Sequence, residues 1–213
     1  MKIFSVDGGL YKFISRLWDV IKLNFLWLIC SLPIITIGVS TIAAYDVALK
    51  IVNNDEGYVA RGFFKAFKAN FKQGMIIGPI TALLVVALFF YYRLRNIETY
   101  IFVLGFLAAF LFYFALVYTY PLLARYENSV IKTIKNSMRI SLRYIGKTII
   151  MTLVVGVEVV AFLWNEVTWI IGFLVGPACI IITISAFALK IFKKIEDMGG
   201  VVKKEDSEEN DDI

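Results

Sequence analysis

Leu28-Ile29-Cys30-Ser31-Leu32-Pro33-Ile34-Ile35-Thr36-Ile37-Gly38 lies inside the first long apolar run of the chain, with a proline at its centre. Read as one span, this run is a single kinked membrane helix. Read as two, it is a helix that enters, breaks at the proline and returns. Proline has no N–H, clashes with the preceding turn and biases Leu32 towards extended backbone. Thr36 then stands where an N-cap stands, and the small residues Gly38, Ser40, Ala43 and Ala44 lead a new helix. The spacing predicts a helix over 11–32, a break at 33–37 and a second helix to about Val52. That second helix is short enough either to be re-entrant or to cross at a thin point, and unwound backbone at membrane depth must be buried in protein.

Working outward from this stretch, four further apolar blocks follow at 74–92, 99–122, 148–164 and 168–189. Each approaches the roughly 20 residues needed to span about 30 Å of hydrocarbon. Hydrophobic residues make up 60% of the 213 and the mean hydropathy is +0.77, well above the roughly 45–50% apolar content of soluble domains. The predicted class is an all-α polytopic membrane protein with five to six membrane helices in a single domain over 1–195. Met1–Lys22 mixes polar and apolar residues and does not read as a cleavable signal peptide. Cys30 and Cys179 both lie in apolar segments and read as small buried hydrophobes.

Basic residues orient such a chain, because lysine and arginine are retained in the cytoplasm. A single crossing of the first run places 16 of the 22 basic residues on one side; the return at Pro33 places 20 there, with Arg93 and Arg95 opposite. The distribution favours the two-helix reading, with both termini cytoplasmic. From residue 196 onward eight acids face two lysines, the composition of a disordered acidic tail over 196–213.

Two basic segments are amphipathic. On a helix over 61–72, Phe63, Phe64, Phe67 and Phe71 cluster on one side and Arg61, Lys65, Lys68 and Lys72 on another. Over 131–147, Lys132, Lys135, Arg139 and Arg143 form a stripe opposed by Ile131, Ile134, Met138, Leu142 and Ile145. Both are patterns of helices lying in the membrane interface, suited to anionic lipid headgroups or to a partner protein. Nucleic acid is a poor partner, since the basic residues hug membrane segments and the acidic end would repel it. A shift of 75 residues superposes Tyr45 on Tyr120, Lys50 on Arg125, Asn53 on Asn128, Lys68 on Arg143 and Lys72 on Lys147, which suggests one device used twice.

Histidine is absent, and no metal-ligand spacing, phosphate-binding glycine loop or nucleophile elbow is present. The expectation is a protein that is not an enzyme and has no cofactor. Glu158 is the clearest acid at membrane depth, where a charge costs about 2.5–3.5 kcal/mol on insertion scales. It reads either as a proton or substrate group on a polar path, or as a hydrogen-bonded structural residue. Asp46, four residues before Lys50, is a weaker candidate and reads as its helical ion-pair partner. Gly78-Pro79 and Gly172 to Pro177 read as packing and kink positions, or as breaks marking a transport path.

Asn24-Phe25-Leu26-Trp27-Leu28, Leu32 to Gly38, Ala43-Ala44-Tyr45 and the Phe- and Lys-bearing segment closing on Asn70-Phe71-Lys72-Gln73 together resemble the YesL-like family of bacterial membrane proteins, a family of unknown function. The resemblance is strong over 17–74 and elsewhere rests on the pattern of apolar blocks. It implies a small integral protein of the cytoplasmic membrane, mostly from Gram-positive bacteria. It further implies an accessory role beside carbohydrate uptake by ABC transporters. It carries no catalytic or binding residues that transfer to this chain.

Overall fold

The computed structural model describes residues 9–55, 57–93 and 99–198, and every regular element among them is helical. The first helix, α1 (Gly9–Ser31), stops at the opening stretch. Pro33 follows in extended conformation, a single 3-10 turn covers Ile34–Thr36, and α2 runs Ile37–Asn53. Three contacts align α1 and α2 antiparallel. Arg16 donates to Asn54 Oδ1 beyond the end of α2, Trp27 Nε1 donates to Thr41 Oγ1 at 3.1 Å, and Thr36 Oγ1 donates to the Cys30 carbonyl at 2.6 Å. The chain therefore turns back at Pro33, as the two-helix reading expects.

Thr36 achieves this in a different way from the one expected. It occupies the N-cap position of α2, yet its backbone is already helical and its side chain accepts nothing from α2. The hydroxyl donates backwards instead, to Cys30 O and to Pro33 O at 2.7 Å, and so closes the end of α1. Proline leaves α1 without continuing N–H donors, and a hydroxyl one turn on supplies one.

Helix α2 packs against α1, α3 (Val59–Ala69), α4 (Phe71–Arg93), α6 (Thr119–Arg125) and α9 (Glu166–Glu196). Its buried Ile42, Ala43, Ala44, Val47 and Ala48 form the centre of the core. Small residues allow this crowding. A Cβ on Gly38 would lie 2.3 Å from the Gly74 carbonyl oxygen, and one on Gly74 would lie 2.5 Å from Val39 Cα. The start of α2 thus crosses the Gly74-to-Gly78 face of α4 backbone against backbone, the contact that small residues four apart permit. Gly38, the first of the small residues that lead the new helix after the break, is the crossing point.

Five segments among the described residues are long and apolar enough to cross a membrane: Ile34–Asn53, Phe71–Tyr91, Val103–Arg125, Ile145–Leu163 and Glu166–Glu196. The last four match apolar blocks read from the sequence, whereas the first covers only the returning half of the opening run, and α1 is not among the five. Over half of the first is buried in the protein, against less than a quarter of each of the others, which turn most of their surface outward. The third is two helices, α5 (Thr99–Leu116) and α6, broken at Val117–Tyr118 just before Pro121. The last two, α8 (Ile145–Leu163) and α9, form a hairpin. Asn165 caps α9 by accepting from Thr168 N, and Gly172 leaves room for Phe162, whose Cβ would be 2.6 Å from any Cβ added there.

Glu196, read as the first residue of the acidic tail, belongs to the helical body. Glu196 is the last residue of α9, and its carboxylate accepts from Arg125 Nε at 2.8 Å and Nη2 at 3.0 Å. Its negative charge belongs to the folded body because a half-buried guanidinium needs it. Residues 1–8 and 199–213 lie outside the described residues.

Candidate functional site

Glu158 sits on α8 facing α9. Its Oε1 accepts a 2.5 Å hydrogen bond from Thr183 Oγ1, while Oε2 is buried without a hydrogen-bond partner. The partner is a threonine on the neighbouring helix, and Cys179, one turn back on α9, is within electrostatic reach. A carboxyl group with one satisfied and one orphaned oxygen between two apolar helices is costly, so the arrangement is unusual for a purely structural residue. Asp46 pairs with Lys50 at 3.3 Å, as its spacing suggests.

The first amphipathic segment is α3, which lies along α2 and is not confined to a lipid surface. Phe63 is fully buried against α2, with Val59 and Ala66 beside it. This corrects the reading of Phe63 as a lipid- or partner-facing residue: the separation of phenylalanines from cations is real, but half of the aromatic face serves the core. Phe67 is partly buried and bridges Phe63 and Phe71 at ring separations of 6.2 and 6.0 Å, leaving Phe64 and Phe71 exposed. Lys65, Lys68 and Lys72 are exposed on the other side.

The second is α7 (Val130–Arg143), and it shows three faces where two were expected. Lys132, Lys135, Arg139 and Arg143 are exposed, and so are Ile131, Met138 and Leu142. The buried face is a row of Val130, Thr133, Ser137 and Ser141. Its purpose lies at the break between α5 and α6. Ser137 Oγ accepts from Tyr118 N at 3.1 Å, and Ser141 Oγ donates to Phe114 O at 2.7 Å. Those two backbone groups are the partners of one interrupted helical hydrogen bond. Two serines one turn apart on α7 therefore satisfy both halves of the broken pair.

Asn24 does the same for α9. Pro177 lacks an N–H and frees carbonyls in the turn before it. Asn24 Nδ2 donates to Phe173 O at 3.1 Å and to Leu174 O at 2.7 Å, and its Oδ1 accepts from Ala178 N at 3.2 Å. The side chain is completely buried. Neither Asn24 nor the two serines stands out in the sequence as a site; the available signal is a polar side chain within or beside an apolar run that also holds a proline elsewhere.

Hydroxyl pairs tie the remaining helices: Thr81 with Tyr120 at 2.8 Å, Tyr113 with Thr152 at 2.6 Å and Tyr118 with Thr148 at 3.1 Å. The rings of Tyr45 and Tyr120, related by the shift of 75 residues, stack at 6.2 Å. The order long helix, basic helix, long helix is indeed used twice, in α2–α3–α4 and in α5/α6–α7–α8. At the far end of α9, Tyr126 donates to Glu196 Oε1 at 2.6 Å, and burial together with that carboxylate raises its phenol above the usual tyrosine range. Among the described residues, no three histidine, cysteine or acidic side chains gather as a metal site.

No curated protein and no solved structure matches the chain. Residues 20–92, which hold Asn24, the Pro33 turn, the Gly38 crossing and the helices α3 and α4, match the family described as protein of unknown function, DUF624, the domain family to which YesL-like proteins belong.

Proposed function

We propose that the protein is a non-catalytic component of the bacterial cytoplasmic membrane, with both termini in the cytoplasm, that acts as an accessory or scaffold subunit beside a carbohydrate ABC transporter. The observation that carries this reading is the mounting of α3 and α7. Each is held by one buried stripe, Val59-Phe63-Ala66 or Val130-Thr133-Ser137-Ser141, and each turns a row of cations outward. Rows fixed in this way present a preorganised surface to a partner, which lowers the ordering cost of association. The sugar-uptake partner is drawn from the family resemblance alone and is a matter of association. Reversal of Lys65, Lys68 and Lys72 to Glu should abolish co-purification with a sugar ABC transporter while the protein still inserts in the membrane. Undiminished co-purification, or no transporter with the parent protein, would contradict the reading.

The second reading is a small solute transporter with a polar path around Glu158. The orphaned Oε2 beside Thr183 favours it, since intramembrane carboxyls mark ion and substrate paths. Glu158→Gln should then stop solute flux in vesicles, and unchanged flux would count against it.

A further inference from the structure

Three cations from three helices converge on one aromatic ring. Arg143 at the end of α7, Lys147 at the start of α8 and Lys194 near the end of α9 lie 5.9, 5.8 and 5.9 Å from the centroid of the Tyr144 ring. All three side chains are exposed, and none makes an ion pair within the described residues. Glu196, the nearest acid in sequence to Lys194, is engaged by Arg125 and Tyr126. The ring face attracts each cation but neutralises none, so the cluster holds three like charges that an anion can offset. Lys147 and Lys194 are 47 positions apart in the chain, and the fold alone brings them together.

We infer that Arg143, Lys147 and Lys194 around Tyr144 form a binding site for the phosphate of an anionic membrane phospholipid. Two observations select a lipid over a soluble anion. The cluster stands at the ends of two helices, α8 and α9, that are long and apolar enough to cross a membrane. Ile150 and Val154, three and seven residues after Lys147 and so on the same face of α8, are exposed at 55% and 38% and continue the site as an apolar track for an acyl chain. A basic pocket between membrane helices that passes into an apolar flank is the chemistry of headgroup recognition. The site takes Arg143 from the end of the outward α7 row and leaves out Lys132, Lys135 and Arg139, which are spaced along one helix and share no ring.

The test uses the full-length protein, purified in detergent, with retention of phosphatidylglycerol against phosphatidylcholine measured by native mass spectrometry. Each cation near a membrane surface is worth about 1 kcal/mol, or roughly fivefold, so K194Q alone should lose about fivefold in phosphatidylglycerol retention. R143Q/K147Q/K194Q should abolish the preference for the anionic lipid, whereas K132Q/K135Q/R139Q, which removes the same charge from the outward row, should retain it. The charge-preserving K194R guards against a folding defect and should bind as the parent does. Equal losses in the two triple variants, retention by K194Q equal to the parent, or no preference in the parent would each overturn the site. Displacement of the lipid by millimolar inorganic phosphate would overturn it too, by assigning the cluster to a soluble anion.

Discussion

Asn24 on α1 is hydrogen-bonded through its amide to the backbone groups on either side of Pro177 in α9. Their positions differ by 153 in the chain, yet the proline creates the unmet donors and acceptors and the asparagine meets them. Proline breaks in membrane helices persist where a neighbouring helix re-satisfies the freed groups, and here a single side chain does so.

Removing that side chain should therefore do more harm than its volume suggests. Asn24→Leu should lower the unfolding free energy by about 2 kcal/mol or more in detergent, since each buried group left unpaired costs roughly 1–3 kcal/mol. Adding Pro177→Ala should recover part of the loss, because alanine restores an N–H to the turn. A double-mutant cycle with no coupling between the two positions would contradict the account.

The serines of α7 make a parallel prediction with a different signature. Ser137→Ala and Ser141→Ala should each cost roughly 1–3 kcal/mol by leaving the Tyr118 N–H or the Phe114 carbonyl unpaired. The double variant should cost less than the sum, since the two freed groups can then bond to each other across a straightened turn. Strict additivity in thermal unfolding would show that the serines act independently.

At the crossing of α2 and α4, glycine is required by distance. Gly38→Ala should force the helices apart, because its methyl would sit 2.3 Å from the Gly74 carbonyl oxygen. Overpacking of this kind costs about 1–3 kcal/mol. Gly62→Ala is the internal comparison: its Cβ would meet Val47 Cγ2 at an ordinary 3.6 Å, so the gain in helix propensity should leave it neutral or stabilised. Equal destabilisation of both variants would argue against a backbone contact at Gly38.

Tyr126 gives a pH dependence. Burial and Glu196 raise its phenol above the ordinary value of 10.0 in the folded protein. The folded state therefore holds the proton more tightly than the unfolded state; this contribution is fully present below about pH 10 and falls as the pH rises beyond it. Tyr126→Phe should show a shallower loss of stability above pH 10 than the parent, measured by denaturant unfolding at a series of pH values. The same slope in both proteins would remove Tyr126 from that role.

Much of the architecture is legible in the chain because it rests on local chemistry. Pro33 cannot continue a helix, and the apolar blocks are long enough to report spans without any knowledge of neighbours. The positive charges align with the return at Pro33 because a hairpin puts both of its ends on one side. What escapes a sequence reading is non-local. The pattern of α3 correctly separates phenylalanine from cation but cannot tell that Phe63 faces α2 and Phe64 faces outward. The pattern of α7 hides a serine row between its basic and apolar faces, because serines signal no burial until an interrupted backbone lies opposite them. Glu158 is conspicuous from composition alone, whereas its partner Thr183 depends on how α8 folds back on α9.

The return of the chain at Pro33 underlies the placement of every later element, and one measurement tests it directly. With Cys30 and Cys179 replaced by alanine, Arg16→Cys and Asn54→Cys should be joined by a short bifunctional thiol reagent in native membranes. Each alone should react from the same membrane face with an impermeant thiol probe. Labelling of the two positions from opposite faces, with no cross-link, would contradict the hairpin and restore a single kinked span.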